Sequence, residues 1–177
     1  MKDEIKCVVV GKSYLLETYI TNIYPNHFIP TLFENYTKYV NFDGKTVKLL
    51  LTDTGGCEEY CHLRPLCYNK ADICILCFSI DNPLSLERIK SRWIPEIHHY
   101  CPNIPIVLVG CKLDLRNNEK STTFKEGREM ASEIKALKYF ECSALNRTNV
   151  MELFNEIISI IQKQFKSNAS VSSCNVL

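Results

Sequence analysis

Two rhythms of apolar residues run along this chain. Short runs at 5–10, 73–80 and 104–109 are apolar almost throughout, the pattern of strands buried on both faces of a parallel sheet. Runs at 36–42 and 46–52 flank Asp43-Gly44, a hairpin turn signal. A short strand is expected at 139–142. Leu15 and Leu16 open an amphipathic helix, and a second helix is expected over 85–97, broken at Pro95. Thr123 with Glu126 forms a capping-box pattern for a helix reaching about Leu137. Val150, Leu153, Phe154, Ile157 and Ile161 recur at helical spacing, so a last helix starts near Thr148 or Asn149. The connection over 21–34 holds Pro25 and Pro30, which block regular structure. Strands alternating with helices predict a mostly parallel, six-stranded α/β sheet flanked by helices, with its ligand at the carboxyl ends of the strands. One domain is expected over 1–165, followed by a flexible Ser/Asn-rich tail over 166–177.

Composition narrows the class. A chain of 177 residues with 46% apolar and 23% charged content supports one soluble domain with a full core. A net charge of +1 gives no electrostatic case for nucleic acid. No apolar run approaches the ~18 residues that span a membrane, and the N-terminus reads directly into a strand. Ten cysteines suggest a disulfide framework at first. Cys7, Cys74 and Cys77, however, lie inside strand-like runs, where free cysteine acts as a small hydrophobe, so a reduced, cytoplasmic protein is expected.

The chemistry sits where strands end. Gly11-Lys12-Ser13 follows the first strand and precedes a helix, like the tail of a phosphate-binding loop. There a lysine reaches the β- and γ-phosphates and a hydroxyl ligates Mg²⁺. Three such residues alone are weak evidence. Asp53 ends an apolar strand, a position from which a carboxylate holds Mg²⁺, although a capping aspartate is as common there. Gly55-Gly56 after it allows a backbone N–H to approach a γ-phosphate. Lys112-Leu113-Asp114 follows another strand. Its carboxylate can accept two N–H bonds from a guanine edge and would gain nothing from adenine. Ser143-Ala144 ends the last strand, where small residues let backbone N–H groups approach the guanine O6. Each motif has a bland reading as a turn or cap, but their shared order and placement at strand ends is hard to obtain by chance.

With these residues in place, the chain resembles a small GTPase of the Ras superfamily, and within it the Rho family. Thr31-Leu32-Phe33-Glu34-Asn35-Tyr36 is similar to the Rho effector loop. The stretches 53–60 and 63–68 resemble Rho switch II, and 93–97, 111–116 and 141–145 also follow Rho wording. The resemblance implies GTP and GDP as ligands with Mg²⁺. Gly11, Lys12 and Ser13 would face the phosphates, Tyr24 would stack on the guanine, and Gly56 would sense the γ-phosphate. Lys112, Asp114, Ser143 and Ala144 would bind the base. Ser13, Thr31 and Asp53 would serve the metal, Thr31 closing on it in the active state. It also implies a signalling switch acting on the cytoskeleton or membranes. Its partners would be effectors at switch I (24–36) and switch II (55–68), exchange factors, GTPase-activating proteins and a prenyl-binding dissociation inhibitor.

Three departures qualify that expectation. The phosphate loop lacks five residues, Cys57 stands where the family has a catalytic glutamine, and the 116–123 segment lacks the length of the Rho insert helix. Cys174-Asn175-Val176-Leu177 fits a prenylation signal, and its terminal leucine favours geranylgeranyl, placing the protein at the cytoplasmic face of a membrane. A polybasic stretch and a second nearby cysteine are both missing, so reversible anchoring is expected. The alternatives are a pseudoGTPase that binds partners with little nucleotide, or an incomplete gene model of an ordinary Rho GTPase.

Overall fold

The computed structural model describes residues 1–11, 14–25, 33–54, 64–116 and 120–173. Six strands form one sheet: β1 (Glu4–Val10), β2 (Phe33–Phe42), β3 (Lys45–Thr54), β4 (Ile73–Ser79), β5 (Ile106–Cys111) and β6 (Lys138–Glu141). Their spatial order is β2-β3-β1-β4-β5-β6, and among the described residues only the β2–β3 pair is antiparallel. That hairpin turns at Asp43-Gly44, where both residues adopt positive φ. The helices are α1 (Leu15–Thr21), α2 (Pro65–Tyr68), α3 (Pro83–Arg88), α4 (Ile94–Tyr100), α5 (Phe124–Glu133) and α6 (Val150–Ser173).

The uninterrupted apolar runs follow from a core on each face. Along β1, Ile5, Cys7 and Val9 face one cluster while Val8 and Val10 face the other. β4 divides likewise, with Ile73, Ile75 and Cys77 against Cys74, Leu76 and Phe78. The first cluster is closed by Leu15, Leu16 and Tyr19 of α1 and by Leu153, Phe154, Ile157 and Ile161 of α6. The second is closed by Cys67 and Tyr68 of α2, Leu86 of α3, Ile97 of α4 and Ala131 of α5, with Ile89 and Trp93 between α3 and α4. Each large apolar side chain so buried contributes about 1.5–3 kcal/mol. The N-terminus is tied to α6. The Lys2 N–H donates to Gln162 Oε1 at 2.9 Å, and Gln162 Nε2 donates to the Lys2 carbonyl at 2.6 Å. All seven described cysteines are free thiols.

Two expectations are corrected. Pro95 does not break its helix. Residues Ile89–Trp93 form a π-turn, with the Ile94 N–H reaching the Ile89 carbonyl, and Pro95 falls in the first turn of α4, where a missing N–H is harmless. The expected tail from Lys166 begins as helix instead. α6 continues through Ser173, because the compositional change at 166 brings neither Gly nor Pro to stop it.

Tyr19 illustrates how packing and polarity compete in this core. Its ring stacks on Phe154 at 3.7 Å between centroids, and Lys38 Nζ lies 4.0 Å from its face. Its hydroxyl is buried with no hydrogen-bond partner among the described residues. An unsatisfied buried hydroxyl carries a desolvation penalty of about 1–3 kcal/mol. Tyr19→Phe keeps the stack and removes the penalty, so it should stabilise the fold by about 1 kcal/mol. Phe154→Ala should destabilise it by about 3–5 kcal/mol. Denaturant midpoints of the two variants against wild type test the pair, and a destabilised Tyr19→Phe would show that the hydroxyl has a partner after all.

Candidate functional site

The carboxyl ends of β1, β3, β5 and β6 point to one edge of the sheet, and the described candidate residues stand there. Gly11 leaves β1 with φ +118°, a conformation that side chains resist. A Cβ on Gly11 would lie 2.6 Å from the Cys77 carbonyl oxygen, so the backbone sits directly against β4. The start of α1 is close behind. Tyr14 precedes the helix without a side-chain cap, and its ring meets the Tyr24 ring edge-on at 5.3 Å. Tyr24, expected to stack on a base, is half-buried there.

Asp53 is the next-to-last residue of β3 and pairs with Val9 of β1 on one side and Glu34 of β2 on the other. It is 6% exposed. Burial first, and then the negative charge of Glu34 opposite, push its carboxyl up to about 7. A carboxylate poorly compensated by its surroundings fits a cation, whose charge would restore the ionised form. The neighbouring Thr54 hydroxyl donates to the Val9 carbonyl at 2.7 Å and fixes the end of β3 to β1.

The two base-side loops are stitched to each other. The Cys142 N–H donates to the Gly110 carbonyl at 2.9 Å, and the Leu113 N–H to the Cys142 carbonyl at 3.0 Å. Ser143 is fully buried, and its hydroxyl donates to Asp114 Oδ1. One hydrogen bond leaves most of the acceptor capacity of a carboxylate free, so Asp114 can still take two N–H donors from a ligand edge. Lys112 adopts a left-handed backbone, φ 61°, which turns its side chain toward Asp81. Its Nζ lies 3.2 and 3.3 Å from the two Asp81 oxygens. Burial raises the Asp81 carboxyl, but hydrogen bonds from Ser79 and Lys112 outweigh it and hold the group below the usual carboxylate range. Ala144 is half-buried beside Ser143.

Beneath these loops lies a network that the motifs do not announce. Arg116 forks onto Glu141, Nη1 reaching Oε2 at 2.6 Å, while the Tyr139 hydroxyl donates to Oε1 at 2.6 Å. Asn149 Nδ2 donates to the Glu141 carbonyl at 2.9 Å. Tyr139 reaches this position over Gly127 of α5, where a Cβ would fall 2.1 Å from its hydroxyl oxygen. Arg116 and Glu141 each stand two residues from a base-side candidate, Asp114 and Ser143. That matched offset is the one sequence signal that could have found the pair. Lys12, Ser13, Thr31, Gly56, Cys57 and Cys174 lie outside the described residues.

A family model for the Ras family matches residues 7–163. The match runs from within β1 into α6 and takes in every candidate residue of the site, from Gly11 to Ala144. The sheet order, with its single antiparallel pair at one edge, and the loops at the carboxyl ends of the strands agree with the small-GTPase α/β fold. The chain belongs to the Ras family of small GTPases.

Proposed function

We propose that this protein is a Rho-type switch with an intact guanine-reading half and a weakened phosphate-holding half. The observation that carries the reading is the course of β1. Val8, Val9 and Val10 are buried and paired with β3 on one side and β4 on the other, up to Val10. α1 begins at Leu15, so only residues 11–14 connect strand to helix. A phosphate nest wraps several backbone N–H groups around one anion and needs glycines to bend that tightly. Lengthening the loop at the expense of β1 would expose three valines at about 1.5–3 kcal/mol each and break the ladder with both neighbours.

In this reading Asp114 accepts from the guanine edge, Lys112 lies along the ring, and Ser143 and Ala144 meet the O6. Tyr24 turns from Tyr14 toward the base. Gly11, Lys12 and Ser13 hold what they can of the phosphates, and Gly56 registers the γ-phosphate. Asp53, with Ser13 and Thr31, would hold Mg²⁺, which supplies positive charge against the phosphate oxygens. Hydrolysis is slow. Cys57 offers a weak donor and a weak acceptor on a short stem, where a glutamine amide would orient the attacking water. Switch I and switch II present the effector surface and meet exchange factors, activating proteins and a dissociation inhibitor. The output is cytoskeletal or membrane signalling. No described helix is long and apolar enough to cross a membrane. A prenyl group on Cys174 accounts for attachment to the cytoplasmic face, and a single chain makes it reversible. The same short loop also supports a second reading, a partner-binding module with little nucleotide.

Calorimetric titration with GDP and Mg²⁺ tests the loop. A companion variant carries five residues, containing and ending in Gly, inserted between Gly11 and Lys12. Loss of two charge-assisted hydrogen bonds at about 1.5–3 kcal/mol each predicts binding weaker than the insertion variant by on the order of 10²–10⁴-fold. Tight binding by the unaltered chain sinks the proposal, and weak binding by both favours the partner-binding module.

Cys57→Gln, made in the loop-extended chain, should raise single-turnover GTP hydrolysis by roughly tenfold or more, the worth of one oriented hydrogen bond. Equal rates would remove Cys57 from the account.

In prenylating cells, Cys174→Ser should move the protein from the membrane pellet to the soluble fraction. A variant that stays with the membranes would refute lipid attachment at that residue.

A further inference from the structure

Three free thiols meet beneath the loops that carry Lys112, Asp114, Ser143 and Ala144. Cys77 lies on β4, Cys111 ends β5, and Cys142 follows β6 directly. All three point to the cluster under α1 and α6, with exposures of 4%, 6% and 1%. Cys111 neighbours both of the others and raises their thiols above the ordinary range.

Strand register separates the two pairs. Gly110 pairs with Glu141 in the parallel β5–β6 ladder, which makes Cys111 and Cys142 the next rung. The hydrogen bond from the Cys142 N–H to the Gly110 carbonyl keeps the strands together at that level. Adjacent strands lie ~4.8 Å apart, inside the roughly 4.4–6.8 Å between Cα atoms that a disulfide spans. Cys77 pairs with Val109, two residues short of Cys111. That diagonal is roughly 7–8 Å, too long for a bond without moving backbone.

We infer that Cys111 and Cys142 are a dithiol that a hydroperoxide converts into a disulfide, clamping the ends of β5 and β6 from which the two base-side loops depart. The Cys111 sulfur, the more exposed of the two, attacks one peroxide oxygen and becomes a sulfenic acid as one water leaves. The Cys142 sulfur then attacks that sulfenic sulfur, the S–S bond forms, and the second water departs. Two thiols lose two electrons and two protons, and one hydrogen peroxide becomes two waters. Hydrogen bonding to Cys111 and then burial hold the Cys142 thiol well above its ordinary range, so thiolate is scarce and the bond forms under sustained peroxide. The inference concerns the sheet alone and stands whether or not nucleotide is held tightly.

The test treats the folded full chain with hydrogen peroxide, blocks remaining thiols by alkylation, and maps tryptic peptides without reductant. Cleavage places Cys111 in 93–112, Cys142 in 139–147 and Cys77 in 71–88. Expected is a 93–112/139–147 species lighter than the sum of its parts by two hydrogens, abolished by dithiothreitol, with fragment ions placing the link at Cys111 rather than Cys101. Cys77→Ala should retain that species. Phenylarsine oxide added to the reduced chain should bridge the same two peptides with loss of one water. Recovery of Cys111 and Cys142 alkylated, their conversion to sulfinic or sulfonic acids without a link, or a dominant link through Cys77 would each overturn the inference.

Discussion

β1 is hydrogen-bonded along both edges and buried on both faces, and that double enclosure constrains everything attached to its ends. A strand so held cannot slide, because a shift by one residue would exchange Ile5, Cys7 and Val9 with Val8 and Val10 between two differently shaped clusters. Nor can it be shortened without losing ladder bonds to two neighbours. The candidate site inherits this rigidity. Gly11 is delivered to one place, against the backbone of β4, and the connection to α1 has to start from there.

The two halves of the site therefore differ in kind. On the base side, Asp114, Ser143, Glu141, Arg116 and Tyr139 hold one another through hydrogen bonds that cross from one loop to the other. Such a network is specified by side chains and survives changes in connection length elsewhere. On the phosphate side the expected grip depends on backbone N–H groups, whose number is set by loop length alone. The length of the connection between β1 and α1 therefore bears on the second kind of recognition and not on the first.

The sheet was legible from sequence because its inner strands are apolar on both faces, and only a doubly covered sheet makes that pattern. Lys112 and Asp114 could be placed because they follow such a run, and Asp53 and Ser143 because they stand at the ends of shorter, half-covered strands. Other features carry no local signal. Gly127 reads as a mild flaw in α5, and only the Tyr139 hydroxyl lying where its Cβ would be explains it. The Arg116–Glu141 fork joins residues 25 apart in sequence, and the pairing of Lys112 with Asp81 spans 31. Pro95 was misread for a related reason: a proline forbids one hydrogen bond, and whether the helix stops or shifts its bonding depends on the surface it must cover.

That π-turn has a consequence for the segment that begins at Arg64. In a continuous α-helix, residues four apart advance about 40° past a full turn, so a row at Ile89, Trp93 and Ile97 would wind steadily off the sheet. One wider turn winds the row back, and all three stay buried along one line. The correction also fixes the azimuth of the residues beside that line. Arg64, the first described residue after the 55–63 segment, lies 4.9 Å from the Trp93 ring, and its Nε is 3.3 Å from Glu96, which also accepts the Tyr68 hydroxyl. The phase of one helix, reset by a single irregular turn, thus decides where the chain entering α2 is moored.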